Sequence, residues 1–173
     1  VSMFVWLFGL EPMQAEFAFS YIIIILSSIL IYTLIKKLIA DKNIALLSVL
    51  LFIPTGWLPI VKYMEFTTLV MMPLFLVTLI NFYHHQNLKN CIFLGLTYGL
   101  ASLSHPVAFI TTSWVGTFVF GYLLFFKFFQ DKVLQKEELK KYFKENYFYF
   151  VYIYLIGVSF ALLYWWKPIF IYH

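Results

Sequence analysis

The sequence predicts an all-α protein, a polytopic bundle that crosses a membrane with about six helical spans. Two observations carry this prediction. The 173 residues are 63% hydrophobic and only 12% charged, whereas a soluble domain is about half apolar and about a quarter charged. The apolar residues also form runs of about 20 residues separated by short polar turns, and this is the length that a bilayer core of about 30 Å requires.

Each predicted span begins and ends at polar, charged or proline residues. The six spans cover about residues 15–35, 44–61, 66–83, 88–104, 106–126 and 147–166. Proline removes a backbone donor, so Pro54, Pro59 and Pro73 predict kinks in the second and third spans. The hydrophilic stretch 130–146 predicts an amphipathic helix along the inner leaflet. Residues 1–173 are treated as a single transmembrane region.

The lysines predict the orientation of the chain. If the residues before Glu16 lie outside, then only Lys62 and Lys167 of the twelve lysines face outward. Lysine bias in short loops sets membrane orientation. It places residues 1–14, 62–65, 104–106 and 167–173 outside a cell membrane, and residues 36–43, 84–90 and 127–146 in the cytoplasm.

The charge and the cysteine count exclude several classes of function. The net charge of +4 comes from lysines at span ends, where they attract anionic lipid, so no nucleic-acid partner is expected. The absence of arginine excludes an arginine clamp on phosphate. The single cysteine, Cys91, excludes an internal disulfide and a thiol-based zinc cluster.

The start of the chain does not have the pattern of a signal peptide. No basic region followed by a cleavage site precedes the first span. We expect the chain to be a piece of a longer polytopic protein. Its expected partners are membrane lipid and further helices of the same chain.

Glu65 is a candidate for chemistry on the outer side. It lies in the short turn between the second and third spans, close to Lys62. A carboxylate at the mouth of a membrane cavity can bind a divalent cation or act as a general base. The alternative is a solvated glutamate that only anchors the span, as we expect of Glu11 and Glu16 at the water boundary before the first span.

His105 is the second candidate, at the outer tip between the fourth and fifth spans with Ser104 and Pro106. The fourth span is short, so this tip is predicted below the lipid surface, where an ionisable group is costly and indicates function. A histidine there could ligate a metal, protonate a leaving group or hold a lipid phosphate. The alternative is a helix cap.

Other polar and small residues receive structural interpretations. Gly95 and Gly99, one turn after Cys91, predict a face of small residues for close helix contact. His84 and His85 are adjacent, so they are read as loop residues rather than as ligands of one metal. The hydroxyls at mid-depth are expected to bond backbone carbonyls; they belong to Ser27, Ser28, Thr67, Thr68, Thr78 and Thr97.

Two stretches carry a resemblance to a known family. Tyr63–Phe66 leads into a long apolar span and a polar inner turn, and Leu94–Pro106 follows as LGLTYGLASLSHP. Over about residues 15–125 this resembles the GT-C-type polytopic glycosyltransferases and their uncharacterised archaeal and bacterial relatives. The resemblance implies a helical membrane enzyme that uses a lipid-phosphate-linked sugar on the outer face.

The resemblance also implies roles for the candidate residues. His105 would face the lipid-phosphate pocket, Glu65 would flank the acceptor or a metal site, and Ser104 and Lys62 would contact substrate. Family members differ in metal dependence, so a divalent metal stays open as a cofactor. The principal catalytic acid would precede Val1, so this segment alone is expected to be inactive.

Two other functions remain open. The chain could belong to a transporter or flippase, with the broken second span and Pro73 as gating elements, because transporters build sites from interrupted helices. It could also be a non-catalytic membrane subunit whose small-residue faces pack against partner helices.

Overall fold

The computed structural model describes residues 9, 11–55, 66–104, 106–130 and 133–170. Within these ranges the chain is helical apart from short turns and one small β-hairpin, so the all-α prediction is confirmed. The helices are α1 (Pro12–Ile39), α2 (Lys42–Thr55), α3 (Met72–His84, after a π-helical turn over Thr67–Met71), α4 (Leu88–Ser104), α5 (Pro106–Phe128) and α6 (Lys136–Phe170). The hairpin pairs β1 (Phe129–Gln130) with β2 (Val133–Leu134).

Three helices in the described part of the chain are long and apolar enough to cross a membrane. They are Pro12–Ile39 in α1, Phe109–Phe128 in α5 and Lys136–Leu163 in α6. Their outer faces expose large apolar side chains, as lipid-facing helices do. These helices indicate a membrane protein.

The prediction of six crossings is not confirmed. The helices α2, α3 and α4 coincide with predicted spans but are shorter than the three helices above. The longest of them, α4, has 17 residues and is about 25 Å long. The predicted second span coincides with α2 as far as Thr55, and its remaining residues, with Pro59, lie outside the described residues.

Local sequence signals explain where the first helices begin and end. Pro12 is the first residue of α1, where its missing amide hydrogen has no cost. Ala40 ends α1 in the left-handed conformation, at φ 60°, and its N–H donates to the Lys36 carbonyl at 3.0 Å. Asp41 then caps α2 by accepting the Asn43 N–H at 2.7 Å.

The chain divides into two compact units. In the first, Val1–Val77, α1 packs against α2 and against the π-helical turn. Ser27 donates to the Ile23 carbonyl at 2.6 Å, and Ser28 bonds the carbonyl four residues before it in the same way. The expected role of these two serines is thus confirmed.

Pro73 accounts for the distortion of the predicted third span. It is the second residue of α3, and without an N–H it leaves the Leu69 carbonyl, four residues back, without its helical donor. The chain before it is wound as a π-helix over Thr67–Met71, a form that occurs mostly as single turns inside helices. The distortion therefore lies near the start of this span.

In the second unit, Thr78–His173, α4 packs against α6 and α5. The predicted small-residue face of α4 makes the contact with α6. A Cβ added at Gly95 would lie 3.0 Å from Cβ of Ile156, and one added at Gly99 would lie 2.8 Å from Cβ of Phe160. Cys91, one turn earlier, reaches the Tyr149 carbonyl at 3.4 Å. This prediction is confirmed.

The predicted inner helix over 130–146 and the sixth span over 147–166 are not separate elements. The β-hairpin occupies the first of these residues, and a single continuous helix, α6, runs from Lys136 to Phe170. No glycine or proline interrupts the sequence between Lys136 and Tyr147, so nothing breaks the helix at the point where its polarity changes. The predicted four-apart pairing within this stretch is present between Lys141 and Glu145, at 3.9 Å.

Candidate functional site

Three of the four residues predicted for the site, Lys62, Glu65 and His105, lie outside the described residues. The fourth, Ser104, is the last residue of α4, and Pro106 is the first of α5. The predicted hairpin between the fourth and fifth spans is therefore present, and a single residue separates its two helices.

A pair of hydroxyls lies between the two helices of this hairpin. The hydroxyl oxygens of Tyr98 on α4 and Ser113 on α5 are 2.7 Å apart. Ser113 also donates to the Phe109 carbonyl at 2.7 Å. Tyr98 precedes Ser104 by six residues, so the pair lies about 9 Å along the helices from the hairpin tip.

A second pair of hydroxyls joins α4 to α3. Oγ1 of Thr78 and Oγ1 of Thr97 are 2.9 Å apart, and both side chains are buried. Thr97 also donates to the Leu94 carbonyl at 3.0 Å, as expected for a hydroxyl at mid-depth. The bond between the two threonines was not predicted.

Thr112, beside Ser113 on α5, differs from these four residues. Its side chain is 1% exposed, and its Oγ1 has no hydrogen-bond partner among the described residues. A buried hydroxyl without a partner costs about 1–3 kcal/mol. We refer to Thr78, Thr97, Tyr98, Thr112 and Ser113 together as the hydroxyl layer.

The Tyr98 ring is held in place by a glycine on α6. A Cβ added at Gly157 would lie 2.3 Å from Cδ1 of Tyr98, so only glycine leaves room for the ring. On the other side, the ring centroids of Tyr98 and Phe109 are 5.2 Å apart. Residues of α4, α5 and α6 thus position the Tyr98 hydroxyl.

Four hydroxyls of the layer already donate their single hydrogen within the protein, Thr97 and Ser113 to carbonyls and Thr78 and Tyr98 to those two residues. The layer therefore offers mainly acceptor oxygens and the Thr112 hydroxyl, and it contains no carboxylate or imidazole. It suits a neutral polar group, such as a sugar hydroxyl or water, rather than acid–base chemistry by itself. Within the described ranges, no group of three His, Cys, Asp or Glu side chains is placed to hold a metal ion. The candidate metal ligands of the sequence, Glu65 and His105, are not in those ranges.

Three members of the layer were missed by sequence reasoning: Tyr98, Thr112 and Ser113. A signal exists for two of them. Tyr98 and Ser113 are seven and eight residues from position 105, so an antiparallel hairpin turning there brings them to one level. A comparison of the hydroxyl residues of the two spans by their distance from the turn would have indicated the Tyr98–Ser113 pair.

No protein-family model matches the chain, and no curated protein and no solved structure matches it at a significant level. The resemblance to GT-C-type glycosyltransferases therefore stays a prediction.

Proposed function

We propose that this chain is part of a membrane-embedded glycosyltransferase that transfers a sugar from a lipid-phosphate donor on the outer face of the cell membrane. The α4–α5 hairpin supports this proposal best. Its helices end and begin at Ser104 and Pro106, with His105 between them in the sequence. The Tyr98–Ser113 hydroxyl pair lies about 9 Å further along the helices. In this proposal His105 takes the phosphate, and the hydroxyls about 9 Å along the helices take the sugar joined to it.

The four candidate residues take complementary roles in this proposal. His105 binds the lipid phosphate or protonates the leaving group, since histidine changes charge near neutral pH. Glu65 flanks the acceptor as a general base or as a ligand of a divalent metal. Lys62 and Ser104 bind substrate. The chain has no arginine, so the lysine and the histidine are the cationic groups available on the outer side of the hairpin and turn.

The proposed topology has six crossings. Three crossings are the helices long enough for a bilayer, and α2, α3 and α4 supply the shorter ones. The lysine bias supports the orientation, with 62–65 and 104–106 outside.

The test is sugar transfer by the complete gene product in proteoliposomes supplied with polyprenyl-phosphate-linked sugars. Replacement of a general acid or base lowers rates by about 100-fold or more, and we expect losses of this size for Glu65→Ala and His105→Ala. Glu16→Ala and His84→Ala are matched controls, because they remove the same chemical groups from positions with no role in the proposal. Normal transfer by both Glu65→Ala and His105→Ala contradicts it.

A transporter or flippase is the second candidate, and the π-helical turn favours it. Thr67–Met71 is wound as a π-helix that ends two residues before Pro73, and interrupted helices line the sites of many transporters. Movement of a lipid or solute across the same proteoliposomes, without sugar transfer, would favour this function over the first.

A further inference from the structure

One end of the second unit brings three helices together at Tyr142 of α6. Lys127, next to the last residue of α5, places its Nζ 4.9 Å from the Tyr142 ring centroid and 5.6 Å from that of Tyr83, near the end of α3. The Gln86 side chain, from the turn after α3, hydrogen-bonds the Tyr142 hydroxyl. The ends of α3 and α5 and the start of α4 are therefore level with Tyr142.

The predicted ends of two other spans lie at this level. The third and fifth spans are predicted to end at residues 83 and 126, and both ends lie against Tyr142. On these predicted ends, the boundary between water and lipid crosses α6 near Tyr142 rather than at residue 147.

Three lysines form a column on α6 across this boundary. Lys136, Lys140 and Lys144 are spaced four residues apart and so share one helix face; all three are exposed. Among the described residues, no carboxylate lies within ion-pair distance of them. Lys141 differs, because it pairs with Glu145 at 3.9 Å. We call Lys136, Lys140 and Lys144 the lysine column.

The heights of these lysines match the lipid headgroup layer. At 1.5 Å per residue, Lys144 lies about 3 Å on the hydrocarbon side of Tyr142, and Lys140 and Lys136 lie about 3 Å and about 9 Å on the water side. The headgroup region is about 5–8 Å thick on each side of the bilayer. Side chains in a helix slant towards its N-terminus, so the Lys144 ammonium reaches back to the headgroups.

Two exposed rings on the same face complete the surface. Phe143 is 43% and Tyr147 is 61% exposed, and they flank Lys140 and Lys144 at helical spacing. Aromatic rings of this kind occur at membrane interfaces. A molecule that fits this surface has an anionic group at the lysines. Its apolar part lies against the two rings and the apolar part of α6 that follows them.

We propose that the lysine column binds the phosphate of an anionic phospholipid whose acyl chains lie along Phe143 and Tyr147. Charge complementarity selects the lipid, since a zwitterionic headgroup presents no net charge to three unpaired ammonium groups. The binding site goes beyond the proposed sugar transfer and does not depend on it.

Lipid retention by the complete gene product tests this site. The protein is placed in phosphatidylcholine nanodiscs with a minor fraction of phosphatidylglycerol, extracted gently, and its bound lipids are quantified by native mass spectrometry. We expect phosphatidylglycerol to be enriched over its bulk fraction. Lys140→Gln and Lys144→Gln should each lower the enrichment by about fivefold, which corresponds to about 1 kcal/mol per lysine near the surface. Lys136→Gln, which is further from the lipid, should lower it less.

Lys141→Gln is the matched control, because it removes the same charge one residue from Lys140. Enrichment that persists in the triple variant of the column, or that falls equally in Lys141→Gln, overturns the site, since net charge alone would then govern the lipid. Displacement of the lipid by an equal concentration of soluble glycerol phosphate would also overturn it, because the column would then recognise free phosphate.

Discussion

The ammonium nitrogen of Lys127 lies 4.9 Å from the centroid of the Tyr142 ring. The same nitrogen is 5.6 Å from the ring centroids of Tyr83 and Phe128. Tyr142 packs with Phe128 and Leu124 in a buried hydrophobic cluster of the second unit. One lysine therefore joins the ends of α3 and α5 to α6, at the level where we place the membrane boundary.

Removal of this charge should destabilise the second unit. For Lys127→Met, which keeps most of the side-chain volume, we expect the free energy of unfolding to fall by about 1–2 kcal/mol, because cation–π contacts contribute roughly 0.5–2 kcal/mol. The measurement is an unfolding titration of the detergent-solubilised protein with SDS. Lys36→Met is the matched control, since Lys36 lies 5.7 Å from the single ring of Tyr32 on its own helix. Equal losses in the two variants would contradict the three-ring site.

Gly157→Ala should disturb the contact between α4 and α6. The new Cβ would lie 2.3 Å from Cδ1 and 2.8 Å from Cε1 of Tyr98. Overpacking of this kind costs about 1–3 kcal/mol, and we expect that loss in the free energy of unfolding. In a Tyr98→Ala background, which lacks Cδ1 and Cε1, Gly157→Ala should cost little.

Gly121→Ala is the control for the glycine prediction. Nothing lies within 4 Å of a Cβ added there, so the variant changes helix propensity without overpacking. Alanine is favoured over glycine in a helix interior by up to about 1 kcal/mol, and we expect Gly121→Ala to be neutral or stabilising. A loss equal to that of Gly157→Ala would show that the Tyr98 clash is not the cause.

The Tyr98–Ser113 hydrogen bond should appear as a coupling energy. A double-mutant cycle of Tyr98→Phe and Ser113→Ala removes each hydroxyl alone and then both. Hydrogen bonds between membrane helices average about 0.6 kcal/mol, with values up to about 1.7 kcal/mol, and we expect a coupling in this range. The cycle of Ser113→Ala with Tyr122→Phe, a tyrosine that is 62% exposed on α5, should give none.

The positions of the helices could be predicted because hydropathy reports them directly. Polar residues stand at both ends of α4, and its predicted bounds, 88–104, agree with the structure. Gly95 and Gly99 indicated the face that contacts α6 because a close helix approach requires small residues. The continuity of α6 could not be predicted from hydropathy. Polarity changes along it near Tyr147, but a change in polarity does not end a helix.

The hydropathy pattern does not predict contacts between residues that are far apart in the sequence. Tyr83, Lys127 and Tyr142 are far apart in the sequence, and no periodicity links them. The hydrogen bonds between helices in the hydroxyl layer were missed for a related reason, because each hydroxyl was considered within its own span. Glu65 and His105 were chosen because of their predicted side of the membrane and their predicted depth in the bilayer. Both stay predictions.

Thr112→Val should stabilise the protein. The substitution keeps the shape of the side chain and removes a hydroxyl that is 1% exposed and without a hydrogen-bond partner in the described ranges. An unsatisfied buried polar group costs about 1–3 kcal/mol, and we expect the free energy of unfolding to rise by about that amount. Thr78→Val is the matched control, because it breaks the bond to Thr97 at 2.9 Å and should lower stability. A loss in Thr112→Val as large as in Thr78→Val would contradict this prediction, because the Thr112 hydroxyl would then have a hydrogen-bond partner in the folded protein.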